Sequence, residues 1–222
     1  VSFYKEKEKI MDNKKFVVEL IGTFALIFIG AGAVAIGVGG LVGVALAHGL
    51  VVATLVYAHG PISGSHINPA VTLAVVIAGK MNIKEAVPYW IAQFAGGALG
   101  ATALYFIFGN ADNGLGATVL AEGVGPLQGF VLEMILTFFL ANAVLQGTIK
   151  GNAGNFAGFA IGMTYTLAIL MGGPITGASL NPARTFGPAL FTGTMNQFWI
   201  YLIGTGAGAT LAALFYKYTE QE

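Results

Sequence analysis

Residues 151–216 of this chain carry a single charge, Arg184, and residues 86–111 carry none. Such runs exceed the roughly 20 apolar residues with which a helix crosses about 30 Å of hydrocarbon. Of 222 residues, 56% are hydrophobic and 9% charged, against about 25% charged in ordinary soluble domains. One soluble core could not cover that much apolar surface, so the sequence predicts an integral membrane protein. The apolar runs fall at about 16–38, 41–59, 86–108, 127–147, 155–171 and 197–216, which makes six spans. A transmembrane barrel would need segments of roughly ten residues with polar and apolar side chains alternating. These runs are continuous and rich in Ala, Leu and Gly, so the predicted fold class is an all-α membrane protein.

Two further apolar stretches, 68–79 and 181–191, are too short to cross. At about 1.5 Å per residue each reaches roughly half the hydrocarbon thickness. Both open with Asn-Pro-Ala: Asn68, Pro69, Ala70 and Asn181, Pro182, Ala183. Asn is a strong helix N-cap, and Pro suits the first helical position because its missing N–H would be unpaired there anyway. Each tripeptide therefore predicts a helix start. The Gly- and Pro-containing strings before them, GPISGSHI and GPITGASL, are expected to be non-helical. Irregular backbone at that depth survives only when buried in protein or lining a watery cavity.

The same strings reveal a repeat. GPISGSHINPA at Gly60 returns as GPITGASLNPA at Gly173, 113 residues on, and ELIGT at Glu19 returns as EMILT at Glu133, 114 residues on. Small-xxx-small faces match as well, Gly96 with Gly100 and Gly204 with Gly208, and such faces suit close helix packing. Three spans per half force the second copy upside down. The two half-helices are then re-entrant, entering from opposite faces and converging with their N-termini near the midplane, an inverted-repeat arrangement. The expected division is a tail at 1–15, a first repeat at 16–115, a second at 116–217 and a tail at 218–222. Lys5, Lys7, Lys9, Lys14, Lys15, Lys80, Lys84, Lys150 and Lys217 fall on one side of this topology, which predicts both termini in the cytoplasm.

Other classes find no support. The net charge is zero and no basic patch with interleaved aromatics points to nucleic acid. Cysteine is absent, which removes disulfides and thiolate chemistry. No nucleophile, acid and base constellation and no metal-ligand spacing appears, so an enzyme, a metal site or a cofactor is not expected.

Six spans, HINPAV and SLNPAR, a Glu-xxx-Thr in the first span of each half and an arginine directly after the second Asn-Pro-Ala together resemble the aquaporins, the major intrinsic protein family. The resemblance covers residues 16–217. Two Asn-Pro-Ala tripeptides in phase with a whole-chain repeat are a specific signal. The resemblance implies a homotetramer with one pore per subunit. It also implies an extracellular constriction at His48, Ile169, Ala178 and Arg184. Strict water channels usually have Phe at the first of these positions and His at the second. Glycerol channels have Trp, Gly and Phe at the first three. His48 with Ile169 is instead similar to plant tonoplast channels, which implies ammonia or urea beside water. Thr185, where glycerol channels have Asp, and Ala189, where they have Lys or Arg, favour the water-channel branch.

The chemistry of such a pore can be written from the residues. Each half-helix N-terminus carries about half a positive charge and free N–H groups, so two aimed at one spot repel cations and protons. A water accepting from both the Asn68 and Asn181 amides must point its hydrogens away along the pore, and cannot receive a proton from a neighbour. Arg184 replaces Val71 of the first copy, and a guanidinium in a membrane normally faces water or a partner and marks a pathway. Backbone carbonyls of Gly64, Ser65, His66, Gly177, Ala178 and Ser179 are expected to form an acceptor ladder along the lumen. His66 matches a pore-lining histidine of the family, with a purely structural role as its alternative. Glu19 and Glu133 invite a reading as ion-coupling acids. One per half in matched positions, they are rather expected to accept hydrogen bonds from the loop backbone. His59 is expected at the interface, without a role. The expectation is a passive channel for water and small neutral solutes in the plasma membrane, with a coupled secondary transporter as the alternative, since inverted repeats build those too.

Overall fold

The computed structural model describes residues 12–220. Lys5, Lys7 and Lys9, used for orientation, and most of the 1–15 tail lie outside the described residues. Among the described residues, six helices are long and apolar enough to cross a membrane: α1 (Asn13–Ala35), α2 (Gly40–Ser63), α4 (Ile83–Phe108), α5 (Pro126–Ile149), α6 (Gly154–Thr176) and α8 (Thr194–Thr219). Between them lie two short helices, α3 (Pro69–Ile77) and α7 (Pro182–Thr192). The chain is a multi-pass, all-helical membrane protein.

Both short helices start where the sequence requires. Asn68 and Asn181 are extended at the N-cap, and their side chains accept from the N–H groups of Ala70 and Val71 and of Ala183 and Arg184 respectively. The strings before them differ from expectation. GPIS and GPIT are helical, with Pro61 inside α2 and Pro174 inside α6. Each proline is in the last turn, where its missing N–H removes one hydrogen bond rather than breaking a long ladder. The helices end instead at Gly64 and Gly177, left-handed at φ 85° and 79°, whose N–H groups bond back to Gly60 and Gly173. The irregular backbone shrinks to residues 64–67 and 177–180. There the left-handed non-glycine residues come in matched pairs: Ser65 (φ 50°) with Ala178 (φ 44°), and Ile67 (φ 44°) with Leu180 (φ 54°). Such conformations cost of order 1–3 kcal/mol each and persist only where the surroundings over-determine them.

Glycines set how closely the helices approach. A Cβ on Gly100 would lie 2.9 Å from the Phe24 carbonyl oxygen, so α4 lies directly on α1. In the second half a Cβ on Gly204 would lie 3.0 Å from the Phe130 carbonyl oxygen, and one on Gly208 2.9 Å from the Phe138 nitrogen, so α8 lies on α5. The halves join where α2 crosses α6, Gly49 against Gly162 and Thr166. They also exchange half-helices: α7 packs on α4, through Gly97 and Gly187, and α3 packs on α8. At one end Lys80, beyond α3, pairs with Glu220 at 3.1 Å, and Lys150 Nζ donates to the Thr219 carbonyl at 3.1 Å.

Overpacking a close-packed contact costs about 1–3 kcal/mol. Gly208→Leu is expected to lower stability by at least that much, read as thermal unfolding in detergent, whereas Gly206→Ala, where a Cβ meets only Leu73 at 3.8 Å, is near neutral. Equal effects of the two variants would contradict this packing.

Candidate functional site

The two loops are held by two buried acids. The Glu19 carboxylate accepts from Ser63 Oγ (2.6 Å) and the His66 N–H (2.9 Å) on one oxygen. Its other oxygen accepts from the Ile67 N–H (2.6 Å) and Gln93 Nε2 (2.8 Å). Glu133 mirrors it, taking Thr176 Oγ1 (2.7 Å) and the Ser179 N–H (2.9 Å) on one oxygen and the Leu180 N–H (2.8 Å) on the other. Tyrosines clamp the helix ends: Tyr89 donates to the Ser63 carbonyl and Tyr201 to the Thr176 carbonyl, each at 2.7 Å. The N–H groups of His66, Ile67, Ser179 and Leu180 are thus all committed to carboxylates.

Between the loops the two asparagines reach across. Asn68 Nδ2 donates to the Leu180 carbonyl at 2.8 Å and Asn181 Nδ2 to the Ile67 carbonyl at 2.9 Å. The N-termini of α3 and α7 are thus stitched head to head. Each amide oxygen caps its own helix and each amide spends one of its two N–H donors on the other half. One N–H per asparagine remains.

Two cavities follow. The inner one, the more enclosed of the two, is lined by Gly64, Ser65, His66, Asn68 and Asn181 together with apolar Leu26, Val52, Leu140 and Val144, and by Tyr165. His66 is fixed there by Nδ1 at 3.1 Å from Thr72 Oγ1 and by the Tyr89 ring, whose centroid is 5.1 Å away. Thr72 Oγ1 in turn accepts from Gln93 Nε2 at 2.9 Å. The outer cavity is lined by His48, Ile169, Gly177 and Arg184 among others. Three of the four constriction residues expected from the sequence therefore meet at one cavity. Ala178 and Ser179 are fully buried and line neither. A Cβ on Gly172 would lie 3.2 Å from that of Ala178, and the Ser179 carbonyl accepts from Tyr165 Oη at 2.6 Å.

Arg184 is 1% exposed. Its Nη1 donates to the Gly116 carbonyl at 2.5 Å, and its Nε has no partner among the described residues. His48 Nδ1 lies 2.9 Å from the Val44 carbonyl. A carbonyl only accepts, so Nδ1 carries a proton, and Nε2, also buried, has no partner among the described residues. Thr185 closes a hydroxyl chain, 2.6 Å from Ser179 Oγ and 2.7 Å from Thr118 Oγ1. Ala189 is buried and His59 is partly buried. Sequence reasoning missed Gly116, Gln93, Thr118 and the tyrosines. Tyr89 and Tyr201 carried a signal, falling in near phase with the repeat. Gly116 offered only a Gly-rich turn.

Opposed half-helices and polar-walled cavities inside six apolar spans define a membrane transport protein of the channel class. The chain belongs to the family described as Major intrinsic protein, whose family model matches residues 6–216. Similar proteins include "Aquaporin NIP1-1" of Oryza sativa subsp. japonica, 41% identical over 92% of this chain and 73% of the relative. "Aquaporin Z" of Rhodopseudomonas palustris is 38% identical over 96% of this chain and 95% of the relative. Among solved structures, the aquaglyceroporin from Plasmodium falciparum superposes with a TM-score of 0.80 at 26% identity, covering 91% of this chain and 94% of that one. Membership makes the chain a transport protein rather than an enzyme.

The acid anchors can be tested without measuring transport. Each carboxylate oxygen of Glu133 receives one backbone N–H, and an amide has only one accepting side. Glu133→Gln is therefore expected to strand one buried N–H and cost about 1–3 kcal/mol, visible as a lower midpoint of thermal unfolding in detergent. An unchanged midpoint would mean that the loop does not depend on this carboxylate.

Proposed function

We propose that this chain is a passive channel that conducts water and small neutral solutes, urea, ammonia and glycerol among them, and excludes protons and ions. The observation that carries the reading is the head-to-head junction of α3 and α7 through Asn68 and Asn181. Two helix N-termini aimed at one point raise the local potential against cations. The remaining amide hydrogens of the two asparagines donate to a water there, so its own hydrogens point outwards and the proton relay is interrupted. Carbonyls of Gly64, Ser65, His66 and Gly177 serve as acceptors along the polar walls, and the apolar walls offer water no competing bonds.

His48, Ile169 and Arg184, with the Ala178 backbone behind them, form the selective constriction in this reading. The Arg184 guanidinium offers donors to a passing neutral solute and its charge repels cations, while the His48 ring narrows the passage beside it. Pro69, Ala70, Pro182 and Ala183 set the two helix starts, and Glu19 and Glu133 hold the loops. Relatives named aquaporins and a structural neighbour named an aquaglyceroporin support water and a small polyol as cargo. The protein works as a homotetramer in the plasma membrane with both termini cytoplasmic. Support for that orientation comes from Lys80 and Lys150, which meet the end of α8 on one side of the spans.

Stopped-flow light scattering of proteoliposomes under sucrose, glycerol and urea gradients tests the reading. Fluxes are expected to rise linearly with the gradient and to ignore proton or sodium gradients. Saturation with solute, or dependence on an ion gradient, would instead establish a coupled transporter.

A further inference from the structure

The first span changes from α to π hydrogen bonding over Leu26–Ala31, and π turns inside long helices are frequent at functional sites. No side chain in this turn is polar. Its buried Gly30 lies against the imidazole of His48: a Cβ there would stand 2.6 Å from Cδ2, 2.7 Å from Nε2 and 3.0 Å from Cγ. Carbon contacts are optimal at about 3.5–4.0 Å, so the ring could keep its place beside no other residue. Gly30 is not among the residues with positive φ, so its backbone does not ask for glycine. The neighbouring ring does.

His48 is constrained on other sides too. Nδ1 donates to the Val44 carbonyl at 2.9 Å, and the ring lies parallel to that of Tyr165, centroids 5.9 Å apart. The ring lines the outer cavity with Arg184, and Gly30 does not. A side chain at position 30 would thus push the imidazole by about 1 Å, and in a close-packed interior the space available to receive it is that cavity.

The geometry points to Gly30 as the positioning residue that sets how far His48 reaches into the outer passage, and so as a determinant of which solutes pass. The inference rests on the reading of His48 as part of the constriction. A substitution in the first span, outside both Asn-Pro-Ala loops in sequence, then tunes selectivity through the second span.

A double-mutant cycle on the full-length chain tests it, with Gly30→Ala, His48→Ala and the double variant compared for water and urea permeability in proteoliposomes and for thermal stability in detergent. Gly30→Ala is expected to lower the ratio of urea to water permeability by about fivefold or more and to destabilise the protein. In the His48→Ala background, where the ring is gone, it is expected to do neither. Should Gly30→Ala alone fail to fold while the double variant folds, the steric pairing is supported. Effects of equal size in both backgrounds, no effect in either, or failure of both to fold would overturn the inference. An unchanged ratio in His48→Ala alone would instead remove His48 from the constriction, and the stability cycle would still report on the packing.

Discussion

Backbone without helical partners cannot remain at membrane depth unless its N–H groups are satisfied, and everything else in this structure follows from how two carboxylates meet that demand. Glu19 and Glu133 each draw in consecutive N–H groups of one loop, together with a hydroxyl at the end of the preceding helix. These charge-assisted bonds are stronger than neutral ones and oppose the strain of two left-handed non-glycine residues per loop. Once the N–H side of the loop is committed backwards, loop polarity is available to the interior. The acids read in this way are scaffold: they hold the loop by its N–H groups and are not themselves among the residues lining either cavity.

The repeat supplies the scaffold twice and varies the chemistry at chosen positions. Ser63 and Thr176 bond their respective acids, Tyr89 and Tyr201 clamp the same helix ends, and Asn68 and Asn181 exchange equivalent bonds across the midplane. Even the partnership of His66 with Thr72 has its counterpart in Ser179 with Thr185. The differences are concentrated where a solute would be sorted. Val71, an apolar wall of the inner cavity, corresponds to Arg184 in the outer one, and imidazole in one loop corresponds to hydroxyl in the other. Two opposed copies of one device thus give an inner vestibule without a fixed charge and an outer one with a guanidinium.

Much of this was legible in the sequence because the signals were local. Asn followed by Pro encodes a cap and a first turn within two residues, so α3 and α7 began where expected. The run of uncharged residues fixed the six spans. Where helices ended was less legible: GPIS and GPIT look like breakers, yet a proline in a final turn sacrifices one bond, and the glycine three residues later is the true terminator. The bond from Arg184 to Gly116 joins segments far apart in the chain and the contact of Gly30 with His48 joins two successive spans, and no local pattern announces either.

The central claim is that convergent helix ends, joined by Asn68 and Asn181, admit water while breaking proton transfer. Water and proton permeability measured on the same proteoliposomes, one by light scattering and the other with an entrapped pH-sensitive dye, test it most directly. The expected result is water flux far above that of protein-free vesicles with proton leak indistinguishable from theirs. A proton leak that rises in step with water flux would contradict it.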